Sequence, residues 1–210
     1  YVDTIGLACP LAAACAARTG REEDWNLAAR QVEEYDAALL AGSSFPAHGF
    51  EMDRGYPLGL YDWSRGIGWY ALGLCELYRL MEAHGRPEAG AMAKRIVSLS
   101  RELLPLRKRN GGFGWMVARP ESVFESSGTA LMGLLMLTAY HISGESCFLD
   151  AAFGAEKALM GVTRRSGALD MCQGDTKGIG MYSDVWGLMP FAQGMALRLS
   201  VELNKEEGEG

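Results

Sequence analysis

Gly59-Leu-Tyr-Asp-Trp-Ser-Arg-Gly-Ile-Gly-Trp-Tyr-Ala-Leu-Gly-Leu74 is the stretch around which the chain is organised. Its first half reads as a loop carrying Trp63, Arg65, Gly66, Gly68 and Trp69, and its second half as the apolar start of a helix running to about Met81. Large aromatics, one cation and two glycines crowd the point where loop becomes helix. That composition suits a pocket for a sugar acid. A guanidinium can grip a carboxylate through two parallel hydrogen bonds, and indole faces offer flat apolar area. Glycine lets a backbone approach a ligand without a side chain in the way. The plainer alternative makes both tryptophans core, Arg65 a surface charge and the glycines turn residues.

Outward from that stretch the chain repeats. A first helix, Thr4 to Ala17, is apolar on nearly all sides, as expected of a helix buried among others. Thr19-Gly20 stops it, and an amphipathic helix follows from Glu22 to Ala41 with its acids early, as the macrodipole favours. A long loop, Ser43 to Asp62, holds His48, Glu51, Asp53 and Tyr56. The pattern then recurs: apolar Trp69 to Met81, amphipathic Pro87 to Leu104, and a loop from Pro105 to Phe124 containing Trp115. Apolar Ser127 to Ile142, amphipathic Glu145 to Met160 and a loop from Gly161 to Asp184 lead to a last apolar helix, Gly187 to Leu203. Residues 204–210 read as an acidic frayed tail. Buried helices thus start near Pro10, Tyr70, Ala130 and Pro190, about sixty residues apart each time. Such hairpins stack as an open solenoid or close into a double-layered ring. The long loops all precede inner helices and so gather at one end, which favours an all-α toroid.

The 210 residues are 49% hydrophobic, enough for one sizeable core, so residues 1–210 read as a single domain. A net charge of −6 and a pI near 5.2 leave no overall basic footprint, which argues against nucleic acid as a partner. No apolar run is long enough to cross a bilayer. The five cysteines have no metal-type spacing and read as buried free thiols, a weak pointer to a reducing, cytoplasmic setting. Neither metal nor cofactor is expected. Tyr1 opens in mid-pattern, which reads as a fragment or a processed start.

Five blocks in order carry a family resemblance. Tyr1-Val-Asp-Thr-Ile-Gly-Leu-Ala-Cys-Pro-Leu-Ala12 looks like a W-x-D-x-x-x-M-x-x-P-x-x block, and His48-Gly-Phe-Glu51 like H-x-W/F-D/E. Trp63-Ser-Arg-Gly-Ile-Gly-Trp69 is similar to W-x-R-G-x-G-W, the most specific of the set. Glu125-Ser-Ser-Gly-Thr-Ala130 matches an E-T/S-S-x-T-A helix start, and Gly187-Leu-Met-Pro-Phe-Ala-Gln-Gly194 a closing helix. Together they resemble the unsaturated glycuronyl hydrolases, the (α/α)6-barrel enzymes of glycoside hydrolase families 105 and 88, and family 105 more closely. The resemblance implies six hairpins, of which about three and a half are present here, the N-terminal ones being absent. It implies removal of a 4,5-unsaturated galacturonyl residue from rhamnogalacturonan-type oligosaccharides by vinyl-ether hydration.

Residue by residue, the resemblance makes Asp3 the catalytic acid and base, against the common use of Asp as a helix cap or first-turn acid. It makes His48 a substrate-binding residue, against an ordinary loop histidine. Arg65 would hold the uronate, with Trp63 and Trp69 as walls. Trp115 could line the leaving-group side, although a plug of the ring is the simpler use. Glu125, Ser126, Ser127 and Thr129 read as caps, and His84 and His141 as helix-end residues. The expected partner is an unsaturated uronic-acid oligosaccharide. A partial ring would expose apolar flanks and so form a homodimer. Two other readings compete: a carbohydrate-binding or scaffold toroid without catalysis, and a sugar epimerase, which would need more paired histidines than the three present.

Overall fold

The computed structural model describes residues 1–208. Seven α-helices lie among them: α1 (Asp3–Thr19), α2 (Glu22–Tyr35), α3 (Ser64–Ala83), α4 (Ala89–Leu103), α5 (Ser126–Ser143), α6 (Ser146–Val162) and α7 (Pro190–Gly208). Helices α1, α3, α5 and α7 pack side by side in sequence order as an inner layer, while α2, α4 and α6 pack behind them. The all-α toroidal arrangement expected from the repeat is therefore observed, as part of a ring. Inner helices begin at Asp3, Ser64, Ser126 and Pro190, a little over sixty residues apart.

Periodicity of side chains explains the layers. Helix α5 buries every residue from Ser126 to Leu137, so it cannot lie at a surface. Helix α4 buries Met92, Ile96, Leu99 and Leu103, one face at helical spacing. Left-handed Gly20 and Gly144 close α1 and α5, their N–H groups donating to Ala16 O and Tyr140 O at 2.8 Å. Inner helices α1 and α3 approach closely enough that only glycine fits between them. A Cβ on Gly6 would lie 2.6 Å from Trp69 O, and one on Gly73 would lie 2.6 Å from Ile5 O. The two ends of the inner row are less covered: Leu7 and Leu11 on α1 are exposed, as are Leu197 and Val201 on α7.

The loops carry two short antiparallel ribbons, β1 (Gly49–Glu51) with β2 (Tyr56–Leu58), and β3 (Cys172–Gln173) with β4 (Trp186–Gly187). The largest departure from the sequence reading is the start of α3. It begins at Ser64, so Arg65, Gly66 and Gly68 stand on helical turns and not in a loop. Two glycines in a row of seven suggest a loop because glycine weakens helices. Here packing overrides propensity: a Cβ on Gly66 would meet the Trp63 ring at 2.7 Å, and one on Gly68 would meet Leu131 at 2.7 Å. Helix α2 stops at Tyr35 and a π-helical turn, Asp36–Leu40, completes the span read as helix to Ala41. The tail expected to fray from residue 204 continues α7 to Gly208, and residues 209–210 lie outside the described part. Of the free cysteines, all expected to be buried, Cys9, Cys75 and Cys172 are buried, but Cys15 on α1 and Cys147 on α6 are exposed.

Candidate active site

The N-terminal ends of the inner helices and the loops that feed them converge on one cluster. Asp3 is the first residue of α1, and Val2 N donates to His48 O at 2.9 Å, tying that helix end to the start of the β1 loop. The Asp3 side chain is 31% exposed, and its Oδ2 lies 3.9 Å from His48 Nε2, beyond hydrogen-bond reach. No hydrogen bond to the Asp3 carboxylate is present among the described residues, and α1 has no side-chain cap, so the capping alternative is not what this carboxylate does.

His48 is 2% exposed and its Nδ1 has no partner among the described residues. Burial lowers its pKa, more than the nearby Asp3 charge raises it, and the Arg65 charge pushes the same way as burial. The imidazole is therefore neutral at pH 7. Aromatic rings surround it: Trp63 at 4.5 Å between centroids, Tyr182 at 5.4 Å and Tyr1 at 6.0 Å. Trp115, half-buried, stands 6.0 Å from Tyr182. Trp69, also half-buried, stands 6.3 Å from Phe191 at the start of α7.

Arg65 is 3% exposed, and its guanidinium already has partners. Nη1 donates to Gln173 O at 2.5 Å and Nη2 to Gly174 O at 2.8 Å, while the cation lies 5.1 Å from the Trp63 ring and 5.2 Å from the Phe191 ring. The fork expected to face a carboxylate faces two backbone carbonyls. Trp63, 2% exposed, likewise donates its Nε1–H to Gln173 Oε1 at 3.0 Å. The structure thus brings Asp3, His48, Trp63, Arg65, Trp69 and Trp115 to one end of the inner layer.

Two residues at this end, Gln173 and Tyr182, escaped assignment from sequence, and a third, Glu125, does more than the sequence reading gave it. Gln173 is 1% exposed and bonded through four of its groups, to Glu125, Arg65, Trp63 and Ser183. Tyr182 Oη accepts from Leu60 N at 2.8 Å, and burial raises the pKa of its hydroxyl. Nothing local in Met-Cys-Gln-Gly or Gly-Met-Tyr-Ser marks either one. Glu125 was read as a cap, and it is one: its carboxylate accepts from Ser127 N and Gly128 N at 3.2 and 2.6 Å. It does more than that, accepting also from Ser127 Oγ at 2.7 Å, Ser64 Oγ at 3.3 Å and Gln173 N at 3.1 Å. One buried carboxylate thereby joins α3, α5 and the β3 loop. Cys172, 3.9 Å from Arg65 Nη1, has its thiol pushed up to about 12 by burial, so it is no nucleophile at neutral pH. Among the described residues no group of three or more His, Cys, Asp or Glu side chains could hold a metal ion.

The sequence model of Glycosyl Hydrolase Family 88 matches residues 1–206. The chain belongs to that family. No curated protein matches this family 88 chain. Among solved structures it is similar to one described as a possible member of the GH105 family from Salmonella enterica serovar Paratyphi A, with a TM-score of 0.88 at 20% identity. That match covers 98% of this chain and 57% of the Salmonella chain. A second, again described as a possible member of the GH105 family, is from Klebsiella pneumoniae, with a TM-score of 0.87 at 19% identity, covering 98% and 56%. A third is the unsaturated glucuronyl hydrolase of Bacillus sp. GL1, responsible for the degradation of glycosaminoglycan, with a TM-score of 0.72 at 20% identity, covering 96% and 58%. At these identities the likeness is one of fold. The family 88 chain spans a little over half the length of each of these structures. Among its described residues no helix is long and apolar enough to cross a membrane.

Proposed function

We propose that the protein is a glycoside hydrolase that removes a 4,5-unsaturated uronyl residue from an acidic oligosaccharide, with Asp3 as its acid and base. The observation that carries the reading is the Asp3 carboxylate: 31% exposed, free of hydrogen bonds within the described chain, and set beside a neutral histidine in a wall of aromatic rings. Membership of family 88 supports the reaction class. In that reaction the carboxyl group gives a proton to C4 of the unsaturated sugar, and positive charge develops at C5 and the ring oxygen. The same carboxylate then takes a proton from the water that adds at C5. The hemiketal so formed opens and expels the leaving sugar, and Asp3 ends protonated as it began. One group serves twice, so the paired carboxylates of ordinary glycosidases are not required.

His48, neutral, offers a hydrogen bond to a sugar hydroxyl without adding a charge. Trp69 and Trp115, half-buried, offer apolar faces, whereas Trp63, expected as a wall, is buried and backs His48 from behind. Arg65 shapes the pocket by holding the Gln173–Gly174 backbone against Trp63, and its positive charge, set among rings of low polarity, favours a uronate nearby. The finer assignment is an unsaturated galacturonyl group on a rhamnogalacturonan fragment, supported by the block pattern of the sequence.

The test uses the full-length protein and an unsaturated rhamnogalacturonan disaccharide, following loss of the absorbance of its conjugated double bond. Asp3→Asn is expected to lower turnover at least about a hundredfold, the usual scale for a positioned acid–base group. Its melting temperature should hardly move, because the carboxylate holds nothing in place. Near-normal turnover of that variant would remove Asp3 from the mechanism. A wild-type protein that binds the disaccharide without consuming it would favour the second reading, a carbohydrate-binding toroid.

A further inference from the structure

A cleft lies on the loop between α4 and α5, apart from the Asp3 cluster. It has a volume of about 620 Å³, within the ~300–1,000 Å³ typical of small-ligand clefts. Its wall carries Arg107, Lys108, Arg109 and Arg119 and no acidic residue, in a chain whose acidic residues outnumber its basic ones by 26 to 20. None of the four lies within ion-pair distance of a carboxylate among the described residues, whereas eight other arginines do.

Their local roles differ. Lys108 Nζ donates to Pro120 O at 2.9 Å and Ser122 O at 2.6 Å, which draws the two arms of the loop together and shapes the cleft. Arg107 Nε donates to Leu104 O at 3.1 Å, leaving its two Nη groups for other partners. The side chains of Arg109 and Arg119 are exposed and make no hydrogen bond within the described chain. Four like charges held together by a loop that binds its own backbone repel one another, and an anion would relieve that. The cleft has no aromatic side chain, so it is built to read charge and not sugar faces.

We propose that this cleft is an anchoring site for anionic sugar units, carboxylate- or sulfate-bearing, of an acidic oligosaccharide. Guanidinium forks match both groups geometrically. The placement suits a saccharide that also reaches the Asp3 cluster. Gly114 and Val117 line the cleft, Trp115 between them stands 6.0 Å from Tyr182, and the same short segment bonds to the start of α3 through Ser64 N to Trp115 O and Val117 N to Asp62 O. This rests on the protein's acting on acidic sugars, but not on its catalytic assignment.

Calorimetric titration of the full-length protein tests it with three saccharides: a saturated galacturonate trimer, a sulfated chondroitin-type disaccharide and neutral maltotriose. None of them contains the vinyl ether, so binding is read without turnover. At least one of the two anionic ligands should bind, more weakly as salt rises, and which one binds names the source of the anion. The double variant Arg109→Ala with Arg119→Ala should bind about tenfold more weakly, the equivalent of one charge-assisted contact. The double variant Lys94→Ala with Arg165→Ala, which removes two exposed cations elsewhere, should bind as the wild type does. No binding of either anion, equal binding of maltotriose, an unaffected Arg109/Arg119 variant, or tighter binding of a short DNA duplex overturns the proposal. Retained binding in a protein that fails to hydrolyse the unsaturated disaccharide would sink the hydrolase reading and leave the cleft standing.

Discussion

Glu125→Gln is the perturbation that reaches furthest into this fold, because it changes one atom at a junction of three segments. The wild-type carboxylate is fully buried, and its two oxygens accept three backbone N–H groups and two hydroxyls. A glutamine retains one acceptor oxygen and presents an NH2 group in place of the other. The less damaging orientation puts the NH2 where Oε2 was, facing Gly128 N and Ser64 Oγ. The serine hydroxyl can turn to accept, but the Gly128 N–H loses its acceptor, at about 1–3 kcal/mol for a buried donor. The remaining contacts lose their charge assistance and weaken by roughly half. Relief of the buried charge offsets part of this. The net expectation is a loss of about 2–4 kcal/mol, or roughly 4–16 °C in Tm for a domain of this size. Differential scanning calorimetry of the two proteins at pH 7 measures it directly. A Tm within about one degree of wild type would show that the junction does not depend on the carboxylate.

Three further outcomes are expected. His48 has a depressed pKa in the folded state, so the unfolded chain binds the proton more readily; stability should be full above about pH 6.5, the ordinary histidine value, and fall as pH drops below it. Urea midpoints between pH 5 and pH 7.5 test this, and a His48→Gln protein with an unchanged slope would assign the effect elsewhere. Gly73→Ala should cost about 1–3 kcal/mol by pushing α1 and α3 apart, and should lower turnover through Asp3, whereas Gly90→Ala on open α4 should stabilise by up to about 1 kcal/mol; equal effects of the two would refute the close approach. The 210-residue chain on its own should self-associate through Leu7 and Leu11 on α1 or Leu197 and Val201 on α7, and a monomer in sedimentation that binds no hydrophobic dye would count against that.

The layers were legible because burial on all sides leaves an unbroken apolar record, as in Ser127 to Ile142, and half-burial leaves a periodic one. Boundaries were less so. The start of α3 was misplaced by five residues because Gly66 and Gly68 speak against a helix locally, while the reason for them, the Trp63 ring and Leu131, comes from outside the helix. Asp3, His48, Trp63 and Trp69 could be singled out as candidates through motif blocks, and Trp115 through its glycine-rich loop. Gln173 and Tyr182 could not, because their importance lies in partners more than a hundred residues away. Arg65 stood out in the sequence as a grip for a uronate, and sequence could not say that two carbonyls of a distant loop would occupy its fork.

That distance has a consequence in time. Trp63 to Gln173, Arg65 to Gly174 and Leu60 to Tyr182 are separated by 110, 109 and 122 residues. Closing a loop of that length costs about 2 kcal/mol more than closing one of ten residues. Helical hairpins such as α5–α6, joined by Gly144 and Glu145 alone, face no such delay. In refolding, helical signal should therefore recover before the fluorescence of Trp63 reaches its native value, since contacts of high sequence separation form late. During synthesis, the cluster of rings around His48 stays incomplete until the segment bearing Tyr182 has left the ribosome. Asp3 and Tyr182, which flank the same histidine, are brought together late.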